Sequence, residues 1–219
     1  MLRCIIELIY PLANLKEVIL TVDCEKYKKV FDDNNGIIKL SDFTGAGYHN
    51  TVIDRLIREG KVIKIRPGFY EWQYEDVISE AVIINKLYPD AIVCMDSALY
   101  YYDYTERTPG AWHLAVNKNS SKSRFKIDYP KLKVYYVVEK YLKIGLTEVD
   151  FEGQVIRIYN REKTICDIVR YEKKMDKEVF NKAIRSYATD SNKNVDRLME
   201  YAKLMNVEKK TKMIMGMWM

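Results

Sequence analysis

Apolar positions in the first third of the chain recur with two different periods, and the change of period marks a series of short elements. Between Glu25 and Asp33, Tyr27, Val30 and Phe31 fall at helical spacing, and Asn34-Asn35-Gly36 is a stop signal. Ile37 to Leu40 follows. Ser41 then stands where an N-cap belongs, with Asp42 in the first turn, and Gly45-Ala46-Gly47 ends a helix of barely one turn. From Tyr48 to Glu59, Val52, Ile53, Leu56 and Ile57 share one arc when residues advance by about 100° each, and Thr51, Arg55 and Arg58 fall on the opposite arc. The usual Ser or Thr cap before this helix is absent, which makes Asn50 the candidate cap. Gly60 supplies a residue that tolerates left-handed backbone, and the period then drops to two. Val62 to Arg66 reads as a strand, Pro67-Gly68 as a tight turn and Phe69 to Trp72 as a second strand.

After Trp72 a helical pattern runs from Asp76 to Tyr88 and stops at Pro89-Asp90, which places a domain boundary near Tyr74 and divides the chain into 1–74 and 75–219. Ala91 to Met95 reads as a strand, Asp96 as an N-cap and Ser97 to Tyr102 as a short helix. Trp112 to Val116, Lys133 to Val138, Leu146 to Phe151 and Val155 to Tyr159 read as strands, the last two joined around Glu152-Gly153, while Asn117 to Lys126 reads as a loop. From Glu162 the pattern is helical to the end, with breaks at Lys173 to Asp176, at Thr189 to Asn194 and near Asn206. The expected fold is α+β: an N-terminal winged helix-turn-helix followed by a mixed α+β C-terminal domain ending in helices.

Such an N-terminal module has a direct physical use. A helix with its side chains fits a major groove about 12 Å wide, while the hairpin lies along the phosphates. Between Arg55 and Arg66 stand five basic residues (Arg55, Arg58, Lys61, Lys64, Arg66) against the single acid Glu59, so this stretch carries an excess of four where the whole chain carries +5. Thr51 and Arg55 are expected toward base edges, Tyr48 and Asn50 at the helix start near base or backbone, and Arg58, Lys61, Lys64 and Arg66 toward phosphate. Asp54 on the same exposed side would repel phosphate, and it leaves open an alternative in which the module binds protein rather than DNA.

Composition narrows the function classes. Cys4, Cys24, Cys94 and Cys166 form no C-x-x-C pair, so neither a zinc ribbon nor a redox motif is written here, and reduced core thiols in a cytoplasmic protein are expected. The apolar stretch Met1 to Leu20 is interrupted by Glu7, Lys16 and Glu17 and has no small-residue cleavage site, which argues against a secretory signal. No apolar run reaches the roughly 18 residues of a membrane helix. Eighteen tyrosines suit an ordinary core as well as a stacking surface. The two histidines, His49 and His113, lie in no catalytic context, and no Gly-Ser turn precedes a pair of metal-binding carboxylates of the nucleotidyltransferase kind. The chain is expected to be no enzyme, to bind no metal and to need no cofactor. Were it one, Asp96, Glu162 and Asp167 would be the first residues to test.

The run Gly45-Ala46-Gly47-Tyr48-His49-Asn50-Thr51-Val52-Ile53-Asp54-Arg55-Leu56-Ile57-Arg58-Glu59-Gly60 and its continuation through Lys64, Arg66 and Pro67-Gly68-Phe69-Tyr70 resembles the N-terminal winged helix of AbiEi-type antitoxins, regulators in type IV toxin-antitoxin and abortive-infection systems. Cys94-Met95-Asp96-Ser97-Ala98-Leu99, Trp112-His113-Leu114-Ala115-Val116 and Arg161-Glu162-Lys163-Thr164-Ile165-Cys166-Asp167 resemble segments of that family's C-terminal domain, so the likeness covers Glu25 to Ala188. The winged helix is expected to act as a transcriptional repressor on inverted repeats in its own promoter, with two copies, a dimer on the DNA, on adjacent half-sites or an induced bend, because one module buries only about 600–1,000 Å². The resemblance implies an antitoxin that counters a nucleotidyltransferase-like toxin without a stable complex.

Overall fold

A computed structural model describes residues 24–216. It is a mixed α+β protein whose contacts divide the chain into two compact units between Ile78 and Ser79. The apolar stretch Met1 to Leu20, argued above to be no secretory signal, falls outside the described residues.

In the N-terminal unit, helix α1 covers 24–32. Its end uses the Asn-Asn-Gly signal as expected. Asn35 and Gly36 adopt φ of 56° and 81°, and the Gly36 N–H donates to the Phe31 carbonyl at 2.8 Å. Strand β1 (Ile37–Lys39) follows, then α2 (Leu40–Gly45), α3 (Asn50–Arg58), β2 (Val62–Arg66) and β3 (Phe69–Trp72). The three strands form an antiparallel sheet in the order β1-β3-β2, with Ile38 opposite Tyr70 and Lys64 opposite Tyr70 on its other side. β1 had no assignment from the sequence, because three residues are too few to show a period. Tertiary pairing with the hairpin makes it a strand.

Two helix starts differ from expectation. α2 begins at Leu40, not after Ser41, because Leu40 comes straight off the sheet with its N–H held by the Gly68 carbonyl at 2.9 Å. Ser41 therefore lies inside the helix and turns its hydroxyl to the Asp42 carboxylate. At α3 the cap is His49, not Asn50. The Tyr48 ring is drawn into the core, 5.2 Å from both Tyr27 and Phe43, and this leaves His49 in extended backbone with Nδ1 accepting the Thr51 N–H at 3.3 Å. The core beneath the sheet is aromatic: Tyr27, Phe31, Phe43, Tyr70 and Trp72 close around Ile38, Ile53, Leu56 and Val62. Each such side chain contributes about 1.5–3 kcal/mol when fully buried.

The C-terminal unit holds α4 (Glu80–Leu87), β4 (Ile92–Val93), α5 (Met95–Tyr101), β5 (Trp112–Asn117), β6 (Leu132–Val137), α6 (Glu139–Leu142), β7 (Leu146–Phe151), β8 (Gln154–Tyr159), α7 (Arg161–Tyr171), α8 (Lys177–Thr189), α9 (Val195–Leu204) and α10 (Glu208–Met215). Its sheet runs β6-β5-β4-β8-β7, with β5/β6 and β4/β8 parallel and the other pairs antiparallel. α4 starts four residues later than the periodicity suggests, since Ser79 is the residue whose hydroxyl accepts the Ala81 N–H at 3.2 Å. Asp96 is likewise no cap. It sits in the first turn of α5, and its own N–H is taken by His113 Nδ1 at 3.2 Å. The loop after β5 contains a 3-10 turn at Lys122–Phe125, whose Phe125 stacks on Tyr88 at 5.1 Å.

α7 is the centre of this unit, buried from Glu162 to Val169. Asn160 caps it by accepting the Lys163 N–H at 3.0 Å, and Gly145 permits the approach. Gly145 has φ +66°, and a side chain there would meet Lys163 Cβ and stand 2.7 Å from Asn160 Oδ1. The first turns then spend their polar groups internally. Arg161 Nε donates to Asp190 at 2.9 Å, Glu162 accepts the Asn194 N–H at 2.9 Å, and Lys163 Nζ lies 2.6 and 2.7 Å from the two Asp167 oxygens.

His113 is buried beside this core, and burial pushes its imidazole from 6.5 down to about 4, with Asp96 pulling the other way. A histidine depressed in the fold stays neutral there while the unfolded chain takes up a proton, so stability is full above pH 6.5 and is lost as pH falls toward about 4. Unfolding free energies from denaturant titration at pH 7.5 and 5 should differ by on the order of 2 kcal/mol more in the wild type than in His113→Gln. Equal pH losses in the two proteins would remove His113 as the cause.

Candidate nucleic-acid interface

The amphipathic spacing of α3 does what the sequence suggests. Ile53 and Leu56 are buried beneath it, while Asn50, Thr51, Asp54 and Arg58 are exposed on its outer side. Gly60 turns the chain with φ +70° into β2, where Lys64 is exposed and Arg66 half-buried. Thr51 and Arg58 on α3 and Lys64 on the hairpin are thus all exposed.

The eight expected residues do not all present themselves alike. Asn50 and Thr51 stand at the α3 N-terminus, where the Thr51 hydroxyl is 2.9 Å from His49 Nδ1. Arg58 is exposed, and among the described residues its side chain bonds the backbone, Nε donating to the Asp54 carbonyl at 3.3 Å. Lys64 is exposed and makes no ion pair among the described residues. Arg55 and Lys61 instead flank Glu59, at 3.9 and 3.0 Å, and Arg55 also lies over the Tyr27 ring at 5.5 Å. The Glu59 carboxylate, and after it Cys24, holds the Lys61 ammonium above its ordinary range, so Lys61 stays charged. Arg66 stacks over Phe69 at 4.3 Å, and Tyr48 packs inward as described above. His49 was not singled out by the sequence reading, because an imidazole is an uncommon cap. Its signal was the position two residues before Thr51, within reach of that N–H.

Among the described residues no group of three or more His, Cys, Asp or Glu is placed to hold a metal ion, and no helix is long and apolar enough to cross a membrane. Cys94 and Cys166 are buried thiols and Cys24 a half-buried one, none of them in a disulfide.

Comparison with known proteins bears on both units. No match is found among curated proteins. A solved structure, the RV2827C protein from Mycobacterium tuberculosis, superposes with a TM-score of 0.50 at 11% identity, covering 86% of this chain and 78% of that one, which is a likeness of fold. The family described as transcriptional regulator, AbiEi antitoxin, matches over residues 25–71, the stretch from α1 to the end of the hairpin. That match is a likeness of residues 25–71 to the AbiEi antitoxin family of transcriptional regulators.

Proposed function

We propose that the N-terminal unit works as a winged helix-turn-helix that binds inverted repeats in the promoter of its own operon. In this reading α3 enters the major groove and the β2-β3 hairpin follows the phosphates. The observation that carries it is the amphipathic α3, with Thr51 and Arg58 exposed while Ile53 and Leu56 anchor it from behind, followed directly by a hairpin with Lys64 exposed. Thr51, Asn50 and a repositioned Arg55 supply base contacts; Arg58, Lys61, Lys64 and Arg66 supply phosphate contacts. One such module buries only about 600–1,000 Å², so two copies on adjacent half-sites give useful affinity.

The whole chain then acts in the cytoplasm as the antitoxin of a type IV, abortive-infection system in phage defence. It has no catalytic activity or cofactor of its own and counters a nucleotidyltransferase-like toxin without a stable complex. A second reading, a protein-interaction module, is favoured by Asp54 on the exposed face and by Arg55 lying back over Tyr27.

A reporter driven by the DNA upstream of the gene separates the two readings. Supplying the chain in trans should repress the reporter, and Arg58→Ala with Lys64→Ala should release it. Unchanged reporter output with the wild-type chain would leave the protein-interaction reading standing.

A further inference from the structure

The C-terminal unit carries a cavity that the DNA-reading function does not use. It lies against the face of β5 and β6 that bears His113, Lys133 and Tyr135, residues placed together because His113 pairs with Lys133 and Ala115 with Tyr135 in the parallel ladder. One lobe, about 260 Å³, is polar and is lined by Thr105, Arg107, Thr108, Lys133, Lys174 and Asp96, among others. A second lobe, about 250 Å³, shares Lys133, Tyr135, Lys174 and Met175 with the first and extends to Met95 and Tyr171. The Tyr135 and Tyr171 rings meet edge to face at 5.4 Å.

Charge within the polar lobe is not self-cancelling. Asp176 is occupied: it accepts the N–H groups of Glu178 and Val179 at the start of α8 and faces Arg107 at 3.6 Å. Asp96 lies 3.8 Å from the His113 imidazole, which burial keeps neutral at pH 7. Lys133 and Lys174 have no acidic partner among the described residues, although Lys133 stands 5.8 Å from the Tyr135 ring. Two ammonium groups without an acidic partner among the described residues, threonine hydroxyls, the Asp96 carboxylate and the Arg107–Asp176 pair thus adjoin a wall of tyrosine and methionine.

We propose that this cavity binds a nucleoside phosphate. The phosphates sit between Lys133 and Lys174, because ammonium groups make strong charge-assisted bonds to phosphate oxygens. The base lies in the second lobe against Tyr135, Tyr171 and the two methionines, where stacking serves any base. Asp96 accepts from a ribose hydroxyl or an exocyclic amine. Such a group is not needed by a simple anion and would repel one, so the site suits a nucleoside phosphate better than a bare phosphate. Each pocket alone is just under the usual volume of a ligand site, about 300–1,000 Å³, and the four shared lining residues put the two side by side, so that a ligand with two parts suits them.

The test is an equilibrium titration of the full chain at low salt with ATP, CTP, GTP, UTP and inorganic pyrophosphate. At least one nucleotide should bind with a Kd below roughly 1 mM, and pyrophosphate at least about 10-fold more weakly. Lys133→Gln and Lys174→Gln should each weaken nucleotide binding roughly 10-fold, while Lys122→Gln, on the distant 3-10 turn, should change nothing. Tyr171→Leu should erase the preference for nucleotide over pyrophosphate. Both lysines are exposed, so far-UV circular dichroism should match the wild type for either variant. Failure of every nucleotide to bind overturns the proposal. So does binding that survives loss of both lysines, which would place the nucleotide on another basic surface such as the α3 face. Pyrophosphate binding as tight as nucleotide binding would equally contradict it.

Discussion

Replacing Asp167 with alanine should cost about 3–5 kcal/mol of stability, enough to leave a domain of this size marginally folded. Lys163 Nζ is held by both Asp167 oxygens on a side chain only 1% exposed, and it lies over the Tyr159 ring at 4.1 Å. Loss of the carboxylate strands an ammonium in the core, whereas burial alone already pushes the Asp167 carboxyl upward against the pull of Lys163. The double replacement Lys163→Met with Asp167→Leu should recover most of the loss, because a buried pair and a well-packed apolar pair are often close in free energy. Chemical denaturation of the three proteins measures this. A loss below about 1 kcal/mol for Asp167→Ala would show that the pair is solvated or dispensable.

The second large effect is on DNA binding. Arg58→Glu combined with Lys64→Glu should lower affinity for every sequence on the order of 100-fold at 0.1 M salt. With a salt exponent of about −0.9 per phosphate contact, losing two contacts costs roughly 60-fold at that salt, and repulsion adds to it. Arg55→Ala should instead relax sequence preference, since the guanidinium must leave Tyr27 and Glu59 to reach a base. Fluorescence anisotropy on two unrelated duplexes measures both. Identical losses on specific and random DNA for Arg55→Ala would remove its assigned role.

What the sequence made legible follows from how local each signal is. The α3-to-hairpin unit was readable because its amphipathic arc, Gly60 and the strand signals are each set within a few residues; the structure keeps the arc, the turn at Gly60 and both strands, but the alternation of burial survives only in β3, since the β2 pairing shifts register between Lys64 and Arg66. The α7 motif Arg161-Glu162-Lys163-Thr164 was visible as a pattern, but its use was not. Its partners Asp190 and Asn194 lie 29 and 32 residues away, and only folding brings them to the helix start. Helix starts were the weakest point for a related reason. Ser41, Asn50 and Asp96 are all good cap residues, yet the sheet and the core fixed the backbone one or two positions earlier at Lys39, His49 and Cys94. The cavity on β6 was unreadable, since it joins α5, β6 and the turn after α7 across some 80 residues of sequence.

The central claim, that this chain reads DNA of its own operon, is tested most directly by electrophoretic shift. The full chain is titrated against the fragment upstream of its gene and a scrambled fragment of equal length, at about 50 and 200 mM salt. The account predicts binding to the upstream fragment on the order of 10³-fold tighter or more, with both affinities falling steeply as salt rises. Equal affinity for the two fragments at both salts, or affinity insensitive to salt, would contradict it.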